Sequence, residues 1–305
     1  MESTRMTESF ANLSPTLAEK AQRLIELLKS FGSCVVAFSG GLDSTVVAKA
    51  AQVALGDKAL AVTGVSPSLA AMELDECRKL AQIIGIRHIV IETEELSNPA
   101  YQRNLGDRCY HCKSELFGKL GDWAARFGMA VVVDGSNKDD HGDHRPGLKA
   151  ARERNVRSPL AECDLTKGEI RELAKYWGLP VWNKPASPCL SSRIAYGEEV
   201  TPERLMMIER AESFLREQGF TTLRVRYHRG DLARIEVPLG DLPRLVDSTL
   251  RQVLTQKFAE FGFKFVTVDL NGFRSGSLNN LLPAESLEIL SRREGDVFAA
   301  VKSGQ

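Results

Sequence analysis

Residues 14–31 carry Leu17, Leu24, Ile25, Leu27 and Leu28 at intervals of about three and four after a Ser-Pro start, which predicts an amphipathic first helix. Short apolar runs follow at 34–38, 59–65, 87–91 and 130–134, each of strand length and able to lie buried on both faces. Between them the polar and apolar positions take helical spacing over 43–55, 69–85 and 110–128. Strands alternating with helices predict an α/β fold with a doubly wound parallel sheet.

Beyond 134 the pattern changes. A polar stretch, 135–157, shows no element of its own, and a loop that long in a packed domain points to function or mobility. A helix is expected over 166–177, then a segment, 179–188, in which Pro180, Pro185 and Pro188 oppose helix and fix the backbone as an ordered loop. Thr201-Pro202-Glu203 opens a helix to 219. Strands over 223–228 and 233–238 are joined by a hairpin around Arg229-Gly230-Asp231, and a helix over 242–261 and a strand over 263–270 follow. This α-β-β-α-β order predicts a smaller α+β domain over residues 195–305, after a first, α/β domain of residues 1–194.

A chain of 305 residues suits two cores. Lys plus Arg and Asp plus Glu both total 40, so no global charge marks a nucleic-acid or membrane-surface binder. There is no apolar run near the roughly 20 residues of a membrane helix, and the polar residues 1–12 lack the apolar core of a signal peptide. A cytoplasmic protein is expected. Its six cysteines are too scattered for a disulfide framework, so each is judged by its neighbours.

The sharpest chemical signal is Ser39-Gly40-Gly41-Leu42-Asp43-Ser44-Thr45, between the first strand and its helix. Two glycines let the backbone approach an anion, while hydroxyls, amides and a helix N-terminus supply donors. The Walker lysine is absent, so the loop does not match the pattern for transfer of a terminal phosphate. A second segment, Gly135-Ser136-Asn137-Lys138-Asp139-Asp140, follows another strand, where ligands of open α/β sheets bind. Gly135 and Asn137 are expected to face the same cleft as the phosphate loop, and Asp140 has the hard oxygen chemistry of a magnesium ligand. The SGGLDST run resembles the PP-loop of the ATP pyrophosphatases. That resemblance implies that Ser39, Gly40, Gly41, Asp43, Ser44 and Thr45 grip the pyrophosphate part of ATP, that Asp43 helps hold Mg2+, and that the α-phosphate stays open to attack.

Cys34, Cys77 and Cys163 have the setting of packing residues. Cys109 and Cys112 form Arg108-Cys109-Tyr110-His111-Cys112-Lys113 at a loop-to-helix junction, a CxxC compatible with half a zinc site, a redox pair or part of an iron–sulfur site. Cys189 lies in Lys184-Pro185-Ala186-Ser187-Pro188-Cys189-Leu190-Ser191-Ser192-Arg193, and its thiolate would attack an activated acyl group. Arg193 is a candidate for the thiolate or a substrate phosphate. Arg224 and Arg226 alternate on a predicted strand, share one face, and are the other phosphate candidates. Glu212 is a candidate metal ligand.

SGGLDST, RCYHCK, GSNKDD followed by Arg145-Pro146-Gly147, and PCLSSR with Arg224-Val225-Arg226 together resemble the LarE family over roughly residues 14–269. Its members are ATP-dependent sulfur transferases of nickel-pincer nucleotide cofactor synthesis. The resemblance implies that ATP adenylates a pyridinium dicarboxylate mononucleotide. Cys189 then attacks the activated carboxyl, and cleavage of its own carbon–sulfur bond leaves a thiocarboxylate and a dehydroalanine. Some family members with three cysteines carry a [4Fe-4S] cluster, so the resemblance equally allows Cys109, Cys112 and Cys189 to be cluster ligands. It also implies a homo-oligomer. Two other functions stay open at this level: a PP-loop tRNA thiolase, against which neutral charge and the lack of an added basic or zinc-ribbon domain speak, and a nucleotide-binding module without turnover.

Overall fold

The computed structural model describes residues 10, 12–140, 146–185, 187–274 and 276–278; Arg145 and Ala186, both within motifs quoted above, lie outside the described residues. Contacts between Cα atoms gather the chain into two units, one of residues 1–65, 71–93 and 112–187, the other of 66–70, 94–111 and 188–305. These contacts interleave segments that a single cut after residue 194 keeps together. Among the described residues, no helix is long and apolar enough to cross a membrane.

The first unit starts with helix α1 (Pro15–Ser30), whose N-terminus is closed by Ser14 Oγ accepting from Leu17 N at 3.4 Å. Its buried stripe, Leu17, Ala21, Leu24, Ile25 and Leu28, follows the helical repeat. Each large side chain in that stripe is worth about 1.5–3 kcal/mol of burial. The stripe joins one core with β1 (Cys34–Ala37) and α2 (Leu42–Leu55). Then come β2 (Ala59–Val65), α3 (Ala71–Ile84) and β3 (Arg87–Glu92); the short α4 (Pro99–Gln102) and the first residues of α5 (Arg108–Arg126) belong to the second unit, and the rest of α5 and β4 (Val131–Val133) return to the first. The four strands form a parallel sheet in the order β3-β2-β1-β4. Chain order reverses between β1 and β4, which is where an open α/β sheet opens a crevice for ligands.

Cys34, Cys77 and Cys163 are buried packing residues, and burial pushes their thiols up to about 12, 11 and 11. The stretch 135–157 is not a bare loop. It holds a 3-10 turn at Lys138–Asp140 and helix α6 (Pro146–Glu153), which buries only Gly147, Ala150 and Ala151, too few and too small to give a periodic signal. Helices α7 (Pro159–Glu162) and α8 (Lys167–Tyr176) follow. A capping box between Thr166 and Glu169 sets the start of α8, and Lys20 Nζ fixes Glu169 at 2.7 Å.

In the second unit, α9 (Pro202–Glu217) precedes β5 (Arg224–His228) and β6 (Leu232–Glu236), an antiparallel hairpin turning at Gly230 and Asp231, both with positive φ. Strand β7 (Phe265–Val268) pairs parallel to β6 and completes the sheet β5-β6-β7. The helix expected over 242–261 is two, α10 (Leu242–Leu245) and α11 (Ser248–Phe261). The break comes at Asp247, whose carboxylate accepts from Thr249 N and Leu250 N and so starts a new helix.

Candidate functional site

In the first unit, β1 ends into Ser39, Gly40 and Gly41, and α2 begins at Leu42. Gly40 has φ +65°, and a Cβ there would stand 2.8 Å from Cys77 Sγ, so its lack of a side chain is required twice over. Gly41 caps α2 with no side-chain hydrogen bond, leaving the first amides of the helix as donors at its positive end. The hydroxyls order the loop: Ser39 N donates to Ser44 Oγ at 3.3 Å, and Ser44 Oγ donates to Gly41 O at 3.2 Å. Thr45 Oγ1 is buried without a hydrogen-bond partner.

The segment after β4 comes up against the same loop. A Cβ on Gly135 would lie 2.8 Å from Ser44 N, so glycine is what lets the two backbones meet. Asn137 Nδ2 donates to Asp43 Oδ1 at 3.5 Å, and Asp140 Oδ2 accepts from Asn137 N at 3.0 Å, closing its own turn. The structure therefore brings Ser39, Gly40, Gly41, Asp43, Ser44, Thr45, Gly135, Asn137 and Asp140 to the switch point between β1 and β4. The narrow glycine cradle, the free helix end and the unpaired Thr45 hydroxyl suit the phosphates of ATP. Magnesium bound mainly through phosphates needs only one or two carboxylates, and Asp43 offers one.

One residue at this site escaped the sequence reading. Lys167 Nζ donates to Asp43 Oδ2, while its backbone N donates to Asp139 Oδ2 at 2.7 Å. A loop without a Walker lysine thus has a cation delivered from the first turn of α8. Sequence gave no periodic or motif signal for a partner 124 positions away.

In the second unit, Cys189 is exposed, as is Cys109. Arg193, expected at a substrate phosphate, is instead 3% exposed and folded back under the cysteine loop. It donates to Pro188 O, to Cys189 O at 2.9 Å and to Glu212 Oε1 at 3.0 Å. Glu212, read as a candidate metal ligand, is the counter-charge of this cluster. Its oxygens also accept from Arg216 at 2.9 Å and Val225 N at 3.2 Å. Burial alone would raise its carboxyl, but Arg193 and then Arg216 and Arg224 hold it below its ordinary range.

Arg224 and Arg226 both lie on β5, two residues apart. Arg226 is buried against Glu236, with Nε to Oε2 at 3.0 Å, and donates to Ser192 O at 3.0 Å. Arg224 is less buried and lies 5.4 Å over the Phe273 ring. Burial, then the charge of Arg193, bring it down to about 10, so it stays protonated at neutral pH. Arg193, Arg216, Arg224 and Arg226 gather around Glu212 and Glu236, and Arg234 joins Glu236 to Asp269. A cluster richer in guanidiniums than in carboxylates favours a bound anion.

Cys109 and Cys112 fall in the first turns of α5. Among the described residues no group of three or more His, Cys, Asp or Glu is arranged to hold a metal ion.

The NAD synthase family model matches residues 21–141, the part of the chain that carries the phosphate loop and the segment after β4. An uncharacterised protein of Synechocystis sp. is 47% identical over 87% of this chain and 99% of its own length. Pyridinium-3,5-bisthiocarboxylic acid mononucleotide synthase of Lactiplantibacillus plantarum is 41% identical over 89% of this chain and 98% of its own. An uncharacterised protein of Methanocaldococcus jannaschii is 31% identical over 79% of this chain and 90% of its own. Identity at that level, running from the phosphate loop through the cysteine loop and the arginine strand, places the chain in the LarE family of PP-loop proteins.

Proposed function

We propose that the chain is an ATP-dependent sulfur transferase acting on a pyridinium dicarboxylate mononucleotide in nickel-pincer cofactor synthesis. The observation that carries this reading is an exposed thiol, Cys189, on a loop clamped by buried arginine, in a chain that also has a complete PP-loop. Residues 39–45, Gly135, Asn137 and Lys167 would hold ATP, the source of the adenylate, and Asp43 would hold Mg2+, which would supply charge neutralisation at the phosphates, while Asp140 orders the turn.

The substrate carboxylate attacks the α-phosphorus and pyrophosphate leaves. Arg224 and Arg226 hold the mononucleotide phosphate. The Cys189 thiolate adds to the acyl carbon and AMP departs with its bonding pair, giving a thioester. Removal of the Cys189 Cα proton then breaks its Cβ–Sγ bond, and the sulfur leaves on the substrate as thiocarboxylate. Residue 189 remains as dehydroalanine, so the protein turns over once. In the alternative source that the three cysteines allow, Cys109, Cys112 and Cys189 would hold a [4Fe-4S] cluster, which would supply the sulfur as sulfide. The setting is the cytoplasm, and the assembly a homo-oligomer.

The test is Cys189→Ala, assayed for pyrophosphate release and for thiocarboxylate. Release should persist and thiocarboxylate should vanish; loss of both, or of neither, would count against Cys189 as the donor.

A further inference from the structure

The segment that follows Cys189 has an unusual density of main-chain oxygens turned toward one buried pair of side chains. Asn104 is fully buried, in the left-handed region at φ +53°, which asparagine tolerates. Its amide donates to Ile194 O at 3.2 Å, Ala195 O at 2.9 Å and Glu198 O at 3.0 Å. Its Oδ1 accepts from Arg108, whose guanidinium also donates to Ser191 O at 2.8 Å. Tyr101 Oη and Ser191 Oγ share a hydrogen bond of 2.6 Å, and Gly197 N donates to Asn104 O at 3.2 Å. On the other side of the thiol, Leu190 N donates to Ser68 O at 2.9 Å, and the Ser68 hydroxyl is held by buried Glu95 at 2.8 Å.

We infer that Asn104 and Arg108 are positioning residues for Cys189, fixing the backbone of its loop so that the thiol meets the activated carboxyl. This inference rests on the sulfur-donor reading of Cys189. The Ser68 carbonyl as acceptor, and Arg108, Asn104 and Arg193 as donors, pin the residues around position 189, while Cys189 itself stays exposed. Both addition to the acyl carbon and cleavage of Cβ–Sγ need the cysteine held in a narrow geometry, and a displacement of about 1 Å costs on the order of a hundredfold in rate. Arg108 brings a second property. Burial by itself would lower its pKa, but nearby Cys189 and Cys109, when ionised, raise it, so both thiols lie within the field of one buried cation.

The test uses the full chain with ATP, Mg2+ and the dicarboxylated mononucleotide, in single turnover, and follows two readouts: pyrophosphate release and conversion of residue 189 to dehydroalanine by mass spectrometry. Arg108→Gln should leave pyrophosphate release within about twofold of wild type and slow dehydroalanine formation by roughly a hundredfold, and Arg108→Lys should recover part of that loss. Asn104→Gly, which accepts the same positive φ, should show the same split. Equal loss of both readouts in both variants would mean a merely structural role and overturn the inference, as would wild-type elimination rates. Wild-type protein that makes thiocarboxylate with residue 189 intact would instead sink the sulfur-donor reading itself.

Discussion

A surface thiol becomes a sulfur donor only when its backbone is held and its surroundings carry charge, and Cys189 has Arg193 bonded to its own carbonyl at 2.9 Å. Residues of this kind divide by how their role is written. Cys189, Asp43 and the glycines at 40 and 41 sit in contiguous motifs, so sequence exposes them. Arg193 and Glu212 do not: a guanidinium near a thiol reads as a phosphate ligand until the fold shows it buried beneath the loop with a carboxylate. Lys167 and Asn104 act across more than 80 positions and carry no local signal. Asp43→Asn is expected to abolish adenylation, measured as pyrophosphate release, because it removes the carboxylate facing both Lys167 and the phosphate loop. Lys167→Ala should raise the KM for ATP about tenfold, the loss of one charge-assisted contact to phosphate. Glu212→Gln should cost about 3–5 kcal/mol in denaturant unfolding, since it leaves buried guanidiniums without their partner. Because the folded carboxyl titrates below its ordinary 4.5, Glu212 stabilises fully above that value and loses its contribution as pH falls through the folded value. The variant's stability should therefore depend less on pH in the acid range.

At the scale of elements, the parallel sheet was legible because its strands are short apolar runs between helical repeats, and the elements of the second sheet because Pro202 and the Gly230 turn punctuate them. Helix α6 was not, since alanine and glycine carry little periodic contrast, and the α10–α11 break depends on one aspartate cap. The approach of the β4 segment to α2 was legible only as a glycine after a strand. Its packing gives a graded prediction. Gly135→Ala should destabilise by about 1–3 kcal/mol and weaken ATP binding, because its Cβ would meet backbone atoms of Ser44. Gly41→Ala, with φ −76° and its nearest neighbour at 3.4 Å, should cost less than 1 kcal/mol, both variants being measured by thermal unfolding.

For the whole molecule, equal numbers of acidic and basic residues leave steering of substrate to local fields, of which the arginine cluster around Arg224 is the strongest argued above. Light scattering should give a mass several times 33.6 kDa if the proposed homo-oligomer forms, and a monomer mass would remove that part of the proposal. The central claim is that the protein gives up its own sulfur. Intact mass spectrometry before and after incubation with Mg2+, ATP and the dicarboxylated mononucleotide, on protein prepared without oxygen and assayed for iron, addresses it directly. The account predicts a loss of about 34 Da, hydrogen sulfide leaving a cysteine, located at Cys189. Thiocarboxylate formed with no mass loss on iron-containing protein would contradict it and assign the sulfur to a cluster.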